Sequence, residues 1–197
     1  MVHGRRSRVR SASMHPHLAA VFSSLDRSTA ALRAAIESVP PARRRERPAP
    51  DRWSVAEILE HLSLVEQIFN KRIAGAIDEA RQAGLTSENA ERDQLPTTIS
   101  EVLANRAARR QAPDPAQPTG SLDDRAALSA FEAAQSSFRA TLTQCDGLAL
   151  SSVTHAHPFF GSLNAYQWAE LIAGHEMRHV EQIREIAGQF SGEPSPT

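Results

Sequence analysis

The chain has 197 residues, is 41% hydrophobic but only 5% aromatic, and carries a formal net charge of −1. That length suits one domain with an adequate core, and the near-neutral charge offers no general attraction to nucleic acid or to anionic lipid. A single cysteine, Cys145, excludes an intramolecular disulfide and fits a cytoplasmic location, and no stretch approaches the roughly 20 apolar residues that span a bilayer.

Residues 1–13, MVHGRRSRVRSAS, carry four arginines and no acid. The apolar run that follows, Leu18 to Phe22, is too short for a secretory signal, so a disordered basic tail is expected, with Met14 as an alternative start. The first helix should run from His15 to Ser38, its core stripe formed by Leu18, Val21, Phe22, Leu25, Leu32 and Ile36. VPPARRRERPAPD then breaks it. Four prolines forbid helix or central strand there, which predicts an extended, solvated surface connection.

The second helix has three start signals that agree. Ser54 is the N-cap, Glu57 completes a capping box, and Trp53 can staple onto Ile58. The helix should reach Arg81 on a stripe of Val55, Ile58, Leu59, Leu62, Val65, Phe69, Ile73 and Ala76. His61 falls on the edge of that buried face, two turns inside the helix, where it can look into a bundle. From Ala83 to Gly120 the periodicity weakens: a short helix near Thr97 or Thr98 is followed by the proline-rich QAPDPAQPTG. The third core helix should open on Ser121-x-x-Asp124 as an acidic capping box, carry Leu128, Phe131, Phe138 and Leu142, and end near Cys145 to Gly147. A loop, LALSSVTHAHPFFGSLN, leads to the last helix.

That last helix, Asn164 to Ile186, organises the rest. Trp168, Leu171, Ile172, Ile183 and Ile186 recur at three- and four-residue steps, and His175 and His179 lie on the same buried side. Residues four apart sit one turn above each other, so the two imidazoles can address one metal ion. His175-Glu176-Met177-Arg178-His179 also spells H-E-x-x-H, the zinc-protease helix signature. The metzincin extension would need a glycine where Gln182 stands and a histidine where Glu185 stands. Few residues follow that could bring a downstream ligand, so a third ligand is to be sought upstream.

The expected fold is all-α: a four-helix bundle with one long loop or insertion between its second and third core helices. Residues 14–190 form the domain and 191–197 a second disordered tail. WSVAEILEHL, with a histidine eight residues after Trp53, and HPFFGSLNAYQWAELIAGHEMRHVEQI together resemble the DinB-like superfamily of metalloenzymes. The resemblance covers His15 to Phe190, except Thr86 to Gly120. It implies a helical bundle holding a divalent metal, zinc or nickel, on three histidines, which match His61, His175 and His179.

Three neutral imidazoles leave a coordination position open for water or a substrate thiolate. Characterised members of the resembling family include thiol transferases that use bacillithiol or mycothiol, and a mycothiol-dependent isomerase. The resemblance therefore implies a thiol S-transferase or hydrolase acting on a small-molecule substrate, with a low-molecular-weight thiol as a further cofactor. The alternative is a non-catalytic bundle, metal-binding or homodimeric, in a stress response. Among other candidates, Glu57 is expected to serve as helix cap, Glu176 as a solvated or outlying carboxylate, and Gln182 as a hydrogen-bond partner of a ligand. Arg178 should form a surface ion pair with Glu181 or Glu185. His155 and His157 are expected on opposite sides of an extended loop as pocket lining, with Phe159 and Phe160 plugging the bundle end.

Overall fold

The computed structural model describes residues 14–89, 97–105 and 111–191; the expected tails at 1–13 and 191–197 lie outside the described residues except for Ser191, which is helical and ends the last helix. Four long helices make the bundle: α1 (Pro16–Glu37), α2 (Val55–Gln82), α4 (Asp124–Thr143) and α5 (Ala165–Ser191), with a short α3 (Thr97–Ala104) between α2 and α4. α2 packs along α4 and α1 along α5, while α3 lies on α5.

Each start has a local cause. Pro16 opens α1 behind a His15 cap, a position where its missing N–H costs nothing. Ser54 and Glu57 form the full capping box of α2, an arrangement typically worth about 1 kcal/mol. α4 departs from expectation, because Asp123 rather than Ser121 accepts the Ala126 N–H at 2.7 Å and is the cap. Ser121 instead shares a hydroxyl contact with Thr119. Asn164 and Gln167 cap α5 reciprocally, each side chain taking the other's backbone N–H at 2.9 Å.

The expected extended connection after α1 contains a 3-10 turn, Pro41–Arg43, and three of its four arginines are engaged. Arg44 Nε donates to the Val39 carbonyl, Arg47 pairs with Glu57, and Arg43 stacks on Phe190. The loop before α5 is a two-stranded antiparallel hairpin, β1 (Thr154–His157) and β2 (Gly161–Asn164), with Gly161 at φ +74°. His155 and His157, two residues apart in a strand, therefore share one face. Phe159 does not plug the bundle; it is 71% exposed at the hairpin tip, and only Phe160 packs inward.

The core is split in two. One apolar cluster gathers Leu18, Val21, Leu25, Ile73, Phe138, Trp168 and Ile172, and the other Leu32, Ile36, Ile58, Leu59, Phe131, Val180 and Ile183. Between them lies a polar layer of Ser28, Glu66 and Glu176, with Thr29 and Gln135 half-buried beside it. Burial raises both carboxyl pKa values, that of Glu66 to about 10 because the charge of Glu176 adds to its burial. Glu66 is therefore held in its neutral form beside Glu176.

Candidate metal centre

His61 projects from the second turn of α2, and His175 and His179 from one face of α5. The ligand atoms of the three rings lie within 4.8 Å of one another. His175 Nε2 stands 3.4 Å from His61 Nε2 and 3.2 Å from His179 Nε2. Tetrahedral coordination at metal–nitrogen distances of about 2.0–2.1 Å places ligand nitrogens roughly 3.3–3.4 Å apart, so the spacing fits one ion.

The proton inventory makes the same point. Ala116 O, in the 3-10 turn Asp114–Ala116, can only accept, so His61 Nδ1 donates to it at 2.7 Å and Nε2 presents a lone pair. Gln182 Oε1 lies 2.9 Å from His179 Nδ1 and orients that ring in the same way. Two lone pairs then face His175 Nε2, which has at most one proton to offer. A cation resolves the mismatch, and the outer hydrogen bonds are those that commonly orient metal-binding imidazoles.

Burial depresses all three imidazole pKa values. His175 falls to about 3, with the charges of His61, Arg178 and His157 adding to its burial; His179 falls well below the ordinary value and His61 is lowered despite its bond to Ala116. The rings are therefore neutral, the form in which imidazole binds a metal. Trp53 covers two of them, its ring centroid 4.8 Å from that of His61 and 6.5 Å from that of His179. Beyond its contact with the Ile58 cluster, it thus shields the centre. Among the described residues no fourth His, Cys, Asp or Glu joins the group.

The neighbours of the histidines divide sharply. Glu57 is used by the capping box and by Arg47, as expected. Glu176 is not solvated: it is fully buried and turned toward α1 and α4, where Thr29 and Gln135 contact it. The H-E-x-x-H string therefore holds its glutamate in the polar core layer. Arg178 does not make the expected ion pair; it donates to the Leu103 and Asn105 carbonyls at 3.2 and 2.6 Å and so satisfies the C-terminal end of α3. Glu181 pairs with Arg184, and Glu185 with Arg52. α3 can approach because Gly174 has no side chain; a Cβ there would meet Leu103 Cδ1 at 3.0 Å. His155 and His157 both approach Trp168, at centroid distances of 6.0 and 5.1 Å.

The Ala116 carbonyl and the Trp53 cover are contributions that sequence reasoning missed. A backbone acceptor leaves no residue-type signal. Trp53 was legible only as a staple, although its position eight residues before His61 was visible.

A four-helix bundle with three convergent imidazoles is the class that fold and site define. Residues 24–183 match the DinB superfamily, and the chain belongs to that superfamily. The match contains all three histidines. The chain is similar to Uncharacterized protein YuaE of Bacillus subtilis (strain 168), at 25% identity over 148 residues, 72% of this chain and 81% of YuaE. It is also similar to the solved structure of TT2238, a four-helix bundle protein, with a TM-score of 0.52, 17% identity, and coverage of 85% of this chain and 98% of that one. That second likeness shows a shared fold.

Proposed function

We propose that the protein is a divalent-metal-dependent enzyme acting on a small molecule, as a thiol S-transferase or a hydrolase, with zinc or nickel held by His61, His175 and His179. The observation that carries this reading is the convergence of three Nε2 atoms, two of them locked as lone-pair donors by Ala116 and Gln182. Bound there, such an ion supplies Lewis acidity that lowers the pKa of a water or stabilises a thiolate.

The protein's own groups do the remaining work. Trp53 excludes water from the side of His61 and His179, while His175 keeps part of its surface exposed and marks the side of approach. Glu176, buried in the core layer, is not placed as a base, which separates this site from the H-E-x-x-H proteases.

The test is turnover by protein loaded with zinc or nickel, assayed for thiol addition to an electrophile and for ester and amide hydrolysis, beside His175→Ala. Thiol-dependent or hydrolytic turnover lost in the variant supports the proposal. A fully loaded wild type inactive in both assays favours the non-catalytic bundle.

A further inference from the structure

We propose that the cavity between the arginine-rich connection after α1 and the start of α2 binds a phosphate group, held by Arg45 and Arg47, at a site separate from the three histidines.

The cavity has a volume of about 300 Å³, at the lower end of the roughly 300–1,000 Å³ of small-molecule sites. Three segments wall it: the connection through Arg45 and Arg47, the start of α2 through Ser54 and Glu57, and the corner before α4 through Thr119 and Gly120. Gly120 keeps the corner close to α2. At φ +70° it takes a conformation that side chains rarely adopt, and a Cβ there would meet Glu57 Oε1 at 3.1 Å. Behind the corner, outside the lining, Glu60 accepts the Thr119 and Gly120 N–H groups at 3.0 Å and the Thr119 hydroxyl at 2.6 Å, which fixes this wall to α2.

Which arginines the fold uses decides the charge of the cavity. Arg43 pairs with Glu46, Arg44 donates to the Val39 carbonyl and lies 3.7 Å from Asp124, and Arg47 Nε donates to the two Glu57 oxygens at 3.0 and 2.9 Å. Arg45 alone of the four has no hydrogen bond or carboxylate partner among the described residues, and it lines the cavity. Glu57 is the only acid in the lining and Arg47 neutralises it, so one positive charge is left over. The N-terminal end of α2, a helix of 28 residues whose cap Ser54 lines the cavity, adds its partial positive charge. Guanidinium groups match the oxygens of a phosphate, and the Ser54 and Thr119 hydroxyls suit a hydroxylated remainder. The same chemistry serves free phosphate and a phosphate carried on a small hydroxylated molecule.

The test titrates inorganic phosphate, glycerol phosphate and, as the neutral control, glycerol into the full chain by calorimetry at fixed ionic strength. At least one of the phosphates should bind while glycerol does not. Arg45→Gln should weaken that binding at least about tenfold, the scale of a charge-assisted contact, and Arg45→Lys should keep much of it. Both variants should retain the wild-type circular dichroism, because Arg45 holds nothing in the fold. Glycerol phosphate bound more tightly than inorganic phosphate identifies a carried group as the ligand, and the reverse or equality identifies free phosphate; either sustains the site. His175→Ala separates phosphate caught on a histidine-bound metal, and should leave the affinity unchanged. No binding of either phosphate in the millimolar range, an affinity unaltered by Arg45→Gln, or binding abolished by His175→Ala would overturn the proposal.

Discussion

The Ala116 carbonyl accepts the Nδ1 proton of His61 at 2.7 Å, so the connection between α2 and α4 sets the tautomer of a side chain fifty-five positions earlier. The same connection is tied to α2 at a second point, where Glu60 accepts from the Thr119 and Gly120 backbone N–H groups at 3.0 Å. Replacing residues 111–119 with a flexible glycine-serine linker should leave the helical circular dichroism intact while lowering metal affinity about 10–100-fold, as measured by chelator competition.

Gln182 holds His179 from the other side. Gln182→Leu should weaken metal binding by about tenfold, and Gln182→Glu should restore or exceed the wild-type affinity, because a carboxylate accepts the Nδ1 proton more strongly. Equal affinities in all three proteins would show that the contact does not orient the ring.

The pH dependence of the metal-free protein follows from the depressed imidazoles. The pKa values of His61, His175 and His179 lie below the ordinary 6.5 in the folded state, so below that pH the unfolded chain takes up protons that the fold does not. Their contribution is complete above pH 6.5 and is lost as pH falls toward about 3, the value reached by His175. Calorimetry should show the melting temperature dropping across this window, and His175→Asn should flatten part of the slope.

The raised carboxyl of Glu66, buried beside Glu176, works in the opposite direction. A carboxyl raised in the fold contributes stability below the unfolded value near 4.5 and loses it as pH rises toward about 10. Glu66→Gln keeps a neutral donor beside Glu176 without the need to hold a proton. It should stabilise the protein by about 1–2 kcal/mol at neutral pH, with a larger gain at pH 9, by chemical denaturation.

Much of the fold was legible because its signals are local and redundant. Ser54, Glu57 and Trp53 agree on one helix start, and the α5 stripe from Trp168 to Ile186 is buried as its period requires. His61, His175 and His179 were legible for the same reason, since helical spacing plus a buried face decides where a side chain points. The hairpin was missed because Thr154–His157 and Gly161–Asn164 are four-residue, half-polar strands, too short to show an apolar alternation. Glu176 was misjudged because the step of about 100° from His175 turned it into the bundle interior rather than toward solvent. Only the three-dimensional path could show that Glu66 is buried in the same layer, or that Arg178 faces the end of α3.

The central claim is that His61, His175 and His179 together hold one metal ion. Elemental analysis of protein purified without a histidine tag, wild type beside His61→Ala, tests it most directly. About one equivalent of a transition metal in the wild type, lost in the variant, is the predicted result. A wild type that holds no metal even after incubation with zinc and nickel, or a variant that retains its full complement, would contradict it.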